Sequence, residues 1–300
     1  MSVRRDELLV AVGDEASFAA LDWAVGRALR SGLDLHLVHV AHSRHGFTGA
    51  AHPASDLDAA ESVGGELVRV ARERVEEQSG AALRVRTSVP TGQPAAVLAD
   101  LASACAAVVL QRRPHSAAAS VFGGSVAAEV AAQAEVPVVS VPQAWETRLA
   151  SRDGGLAPRV TVGVAERAAD DALIGHAIDA CRGGEWLVTL LHAWHVSAAH
   201  ELGLQPQDFA ADIVEREVKR LNDVAAAWQS KSPNVTLESR ILHGRPVSVL
   251  EEVSRDSEHL IVGRSHAHPR GHLGSVTASL LRHVACPVEV YPTGAAAPAQ

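Results

Sequence analysis

Short apolar runs alternate with longer amphipathic stretches along the whole chain. LLVAV (8–12), LDLHLVHV (33–40), AAVVL (106–110) and PVVSV (137–141) fall in the first half, and RVTVGV (159–164), EWLVTLLHAW (185–194), HLIV (259–262) and PVEVY (287–291) in the second. Runs of this length that are apolar on both faces predict buried parallel strands. A third strand in each half ends at Pro90 and at Leu242, before the turns TGQP and HGRP. The proline of each turn is placed to open a helix, where its missing N–H costs nothing.

Helical spacing fills the intervals between the strands. Ser17 is placed to cap a helix whose inner face reads Leu21, Val25, Ala28 and Leu29. Charged helices are predicted near 57–79 and 208–230, the latter with an apolar stripe of Ile213, Val214, Val218, Leu221, Val224 and Ala225. Charge runs such as RERVEEQ (72–78) and EREVKR (215–220) read as exposed faces laced by i,i+4 pairs.

The halves share one internal order. Gly92 and Gly244 are separated by 152 positions, while Gly124 and Gly274, like Pro137 and Pro287, are separated by 150. A duplicated unit of about 150 residues explains these offsets. The change of two places a shortening in the loop after the fourth strand of the second copy, where length changes are tolerated. We therefore expect an α/β chain of two tandem doubly wound domains, each a five-stranded parallel sheet with helices on both faces. The first domain is expected at 1–143, a polar linker at 144–158, the second domain at 159–292 and a patternless tail at 293–300.

Composition narrows the partners. With 47% apolar but only 3% aromatic residues, the cores must be filled by Ala, Val and Leu. A net charge of −8 opposes charge-driven binding to nucleic acid or an anionic membrane. Cys105, Cys181 and Cys286 are odd in number and lie in apolar runs, so they read as reduced core residues. No apolar run reaches the ~18–20 residues of a membrane span, and a cytoplasmic protein is expected.

In a doubly wound sheet, ligands lie beyond the carboxyl ends of the strands where strand order reverses. After the fourth strand each copy returns to helix through Gly124-Ser125-Val126 or Gly274-Ser275-Val276. Glycine admits a phosphate to the backbone, helix-start N–H groups can face it, and serine adds a hydroxyl. The same tripeptide is also an ordinary helix cap, and its recurrence does not separate the readings, since duplication copies caps and sites alike.

Together the element order, the HV and HAW endings of strand two, the TGQPAAVL and HGRPVSVL turns, and the Gly-Ser-Val to Pro-Val endings resemble the universal stress protein family in its tandem form. The resemblance runs from about Glu7 to Pro292. It implies a strand order of 3-2-1-4-5, no catalytic reaction, and fifth strands (137–141 and 287–291) that meet as an intrachain pseudo-dimer, with a homodimer also open. In one subset of the family it implies ATP binding through Gly-x2-Gly-x9-Gly-Ser/Thr and an acid ending strand one. Val40 and Ala193, at the ends of the second strands, join the implied nucleotide contacts.

Both copies depart from that pattern. Gln111 and Pro114 replace the leading glycines of copy one. Copy two keeps Gly263 but has His266 at the second position and only seven residues before Gly274. The acid is displaced to Asp14 in copy one and replaced by Ala165 in copy two. Cations stand nearby: Arg112, Arg113 and His115 in copy one, and Arg264, His266, His268, Arg270 and His272 in copy two. They fit either an altered anion site, stronger in copy two, or solvated loop charge.

The resulting expectation is a non-enzymatic stress-response or regulatory binding protein with degenerate loops and no obligatory cofactor. An ATP or adenine-nucleotide sensor using mainly the second copy is the alternative, and another anionic small molecule could take the nucleotide's place. No metal is expected, because His36, His39, His42, His45 and the loop histidines have no nearby cysteine in sequence. Ser125 and Ser275 lack a nucleophile turn and an identifiable base.

Overall fold

The computed structural model describes residues 6–13, 17–42, 54–112, 125–145, 157–165, 167–182, 184–195, 206–264 and 272–292. They form two compact units with the same succession of elements. The first comprises β1 (Glu7–Ala11), α1 (Ala19–Ser31), β2 (Asp34–Val38), α2 (Ala54–Ser79), β3 (Val85–Ser88), α3 (Pro94–Ala102), β4 (Ala107–Arg112), α4 (Val126–Gln133) and β5 (Val138–Pro142). In the second are β6 (Arg159–Gly163), α5 (Arg167–Ala180), β7 (Trp186–Trp194), α6 (Pro206–Lys231), β8 (Val235–His243), α7 (Pro246–Val253), β9 (His259–Gly263), α8 (Ser275–His283) and β10 (Val288–Tyr291).

Every pairing within a unit is parallel. The first unit is ordered β3-β2-β1-β4-β5 and the second β8-β7-β6-β9-β10, so each realises 3-2-1-4-5. The apolar runs are buried as their two-sided character requires: Leu9, Leu35, Val108, Leu190 and Ile261 are wholly enclosed. All three cysteines are buried and none is in a disulfide. Among the described residues no helix is long and apolar enough to cross a membrane.

The duplication is visible in individual hydrogen bonds. The His39 Nδ1 atom lies 2.9 Å from the Val12 carbonyl oxygen, and His192 Nδ1 lies 3.0 Å from that of Val164. A carbonyl only accepts, so both rings carry the proton on Nδ1 and lock the end of strand two to the end of strand one. Gly92 donates its N–H to Ala41 and Gly244 to Trp194. These glycines have φ of 141° and 148°, a region that side-chain-bearing residues avoid, and Pro94 and Pro246 then open the next helices.

Several sequence expectations need correction at the helix surfaces. Leu29 and Val218 continue apolar stripes on paper, yet they are 47% and 38% exposed, because each lies at the edge of its buried face. Arg74 does not belong to a simply solvated run. Its guanidinium makes a bidentate bond to Asp22 of α1 at 2.7 and 2.8 Å and lies 5.0 Å from the Phe18 ring centroid. Arg72–Glu76 is the exposed i,i+4 pair that the pattern predicts.

Candidate functional site

The carboxyl ends of β1 and β4 converge on the start of α1 in the first unit. Ser17 Oγ accepts the Ala19 N–H at 3.2 Å and donates to the Gln143 carbonyl at 2.9 Å. The Gln111 side-chain oxygen, at the place of a family glycine, accepts the Ala20 N–H at 3.3 Å. Two helix-start donors are thereby used by the protein itself. Val10, Val12, Gly13, Ser17, Phe18 and Gln111 are among the residues lining a cavity of about 20 Å³, room for roughly one water molecule. Nothing local in sequence announces the Gln111 bond, since its partner is 91 positions away.

The paired Gly-Ser-Val segments do different work. In the first unit Ser125 is the N-cap of α4, in extended conformation, and its hydroxyl accepts the Ala128 N–H at 3.4 Å. This is the helix-cap reading, with Val126 pointing outward at 39% exposure. In the second unit the frame moves by one residue. Gly274 is the N-cap of α8, without a side-chain cap, and exposed Ser275 is the first helical residue. The N–H groups of Ser275 and half-buried Val276 belong to the first turn, which has no intrahelical acceptors.

The remaining expected contacts separate by unit. Gly263 ends β9, and the Arg264 N–H continues the ladder to the Tyr291 carbonyl at 2.7 Å. Ala165 is exposed beside Val164, with a methyl group where the family pattern has an acid. Val40 is buried beyond the end of β2, whereas its counterpart Ala193 lies inside β7 and pairs with Leu242. The second-strand contacts are therefore not equivalent, because β7 and β8 remain paired through Trp194 and His243. Asp14, Arg113, Pro114, His115, Gly124, His266, His268 and Arg270 lie outside the described residues.

Comparison with known proteins follows the same division. The universal stress protein family model matches twice, at residues 5–142 and 157–292. A universal stress protein of Mycolicibacterium smegmatis is 28% identical across 94% of this chain and 96% of its own length. A universal stress protein of Mycobacterium tuberculosis is 34% identical over 114 residues, covering 38% of this chain and 39% of its own. Among solved structures, a universal stress protein from Archaeoglobus fulgidus DSM 4304 superposes with a TM-score of 0.72 at 17% identity, covering 98% of both chains. One from Pseudomonas aeruginosa UCBPP-PA14 gives a TM-score of 0.58 at 16% identity, over 96% of this chain and 94% of the other. At those identities the structural likeness is one of fold. Two family matches spanning most of the chain, on two units that repeat the same strand order, show that this protein belongs to the universal stress protein family in its tandem form.

Proposed function

We propose that this protein is a regulatory or stress-response binding protein that acts without turnover and whose first unit has lost nucleotide binding. The observation that carries this reading is Gln111, whose side chain takes an α1 start donor at the strand crevice. A bound phosphate or adenosine that needs this helix start would have to displace that bond. A second reading rests on the other unit. There Gly263, the uncapped Gly274 and exposed Ser275 keep a helix start where an anion can meet backbone N–H groups. In that reading the second unit alone takes an adenine nucleotide or a related anion.

Equilibrium titration with labelled ATP, ADP and a cyclic dinucleotide separates the two. Under the first reading none binds saturably at millimolar concentration. Under the second, one nucleotide binds per chain and Gly274→Val abolishes it, because the added branch occupies the approach to the helix start. Loss of binding on Gln111→Ala, with Gly274→Val silent, would refute both assignments.

A further inference from the structure

At the opposite end of the first unit's sheet, the amino ends of β1 and β4 meet the middle of β2. The carboxylate of Glu7, the imidazole of His36 and the thiol of Cys105 lie with their ligand atoms all within 4.8 Å of one another. His36 is 1% exposed, Cys105 is 1% exposed, and Glu7 is half-buried. Arg86, opposite His36 on β3, places its Nη2 atom 2.6 Å from Glu7 Oε2 and 3.0 Å from His36 Nδ1.

We propose that Glu7, His36 and Cys105 form a three-ligand site for a divalent transition metal of zinc type, with Arg86 holding the same place when the metal is absent. A guanidinium only donates, so His36 Nδ1 presents its lone pair toward Arg86 and the ring proton is on Nε2. Nε2 then donates to Ser88 Oγ at 2.7 Å. This is how a metal-bound histidine is held, with its second nitrogen fixed by an outer partner. Sulfur, nitrogen and carboxylate oxygen in one cluster suit zinc coordination and leave a fourth position for water.

The second unit supplies an internal comparison. Register places Arg159 at the position of Glu7, Thr189 at that of His36 and Glu238 at that of Arg86. Ser257 stands at the position of Cys105, since Ala106 and Glu258, the residues that follow them, donate to the Glu7 and Arg159 carbonyls. There an ion pair of reversed polarity, Arg159–Glu238 at 3.1 Å, spans the same strands. Thr189 bonds Glu238 at 2.7 Å, and Ser257 bonds Thr161 at 2.7 Å. The second unit thus keeps a crossing ion pair here with neither histidine nor cysteine beside it. Arg86 can leave: its side chain is 55% exposed, and an ion pair with that much solvent is weak. On binding, the Cys105 thiol passes its proton to solvent, the three ligands donate to the ion, and Arg86 swings outward.

The test is a cobalt(II) titration of the full untagged chain, with zinc as competitor. We expect one cobalt per chain with a thiolate-to-cobalt charge-transfer band and intense four-coordinate visible bands, both removed by zinc. Cys105→Ser should abolish the charge-transfer band while leaving far-ultraviolet circular dichroism intact, since serine occupies the same place in the second unit. Glu7→Gln should weaken binding at least about tenfold, and Ser88→Ala by about tenfold through the outer partner. Arg86→Ala should tighten it. Cobalt binding without a thiolate band, or a band that survives Cys105→Ser, would overturn the site, as would an affinity that ignores Glu7→Gln.

Discussion

Two adjacent glycines in α2 should respond unequally to the same substitution. A Cβ at Gly64 would lie 2.6 Å from His39 Cδ2 and 2.7 Å from Val89 Cγ1, whereas one at Gly65 would meet nothing within 4 Å. Both replacements gain the same backbone term, about 1 kcal/mol for alanine over glycine inside a helix. That term cancels in the comparison and leaves the steric one. Neither obstructing atom is the free end of a flexible chain: His39 is held by its bond to Val12, and Val89 is branched at Cβ. Overpacking of this kind costs about 1–3 kcal/mol. Gly65→Ala should therefore stabilise by up to about 1 kcal/mol, with Gly64→Ala less stable than Gly65→Ala by about 1–3 kcal/mol. Urea unfolding followed by circular dichroism, with slopes checked for equality, measures the difference. Equal midpoints for the two variants, or a higher midpoint for Gly64→Ala, would refute the packing argument.

Arg74→Ala should cost about 1–2 kcal/mol, already reduced for solvent screening, because it removes a bidentate bond to Asp22 and a contact with Phe18. Arg72→Ala, which removes one exposed i,i+4 pair, should cost about 0.3–0.5 kcal/mol; urea midpoints compare them. Ser125→Ala should cost about 0.5–1 kcal/mol by the same measurement, with Ser275→Ala near zero, since only Ser125 caps its helix. Tyr291 is the single tyrosine of the chain, so tyrosinate absorbance reports it alone. Burial first, and then the Glu289 charge, raise its pKa above 10, so its contribution to stability is complete below pH 10 and is lost as pH rises through the folded-state value. Glu289→Gln should move the absorbance transition toward lower pH.

Much of this architecture is legible in the chain alone, because it is written in period and spacing. Short two-sided apolar runs bounded by turn residues read as buried parallel strands, and the offsets of Gly92, Gly124 and Pro137 to Gly244, Gly274 and Pro287 repeat their order. The turn glycines and helix-opening prolines follow from backbone rules that act over a few residues. Contacts between strands and helices distant in sequence leave no such trace. Identical Gly-Ser-Val triplets start their helices one residue out of step, so that Ser125 caps and Ser275 does not. Gln111 reads as a lost glycine until the tertiary structure shows its oxygen on the Ala20 N–H. Arg74 reads as solvated charge until α1 brings Asp22 against it. Glu7, His36 and Cys105 belong to no local motif, and only the crossover that sets β1 between β2 and β4 brings their side chains together. Periodicity determines which elements form, while the order in which strands pair decides which distant side chains share a site.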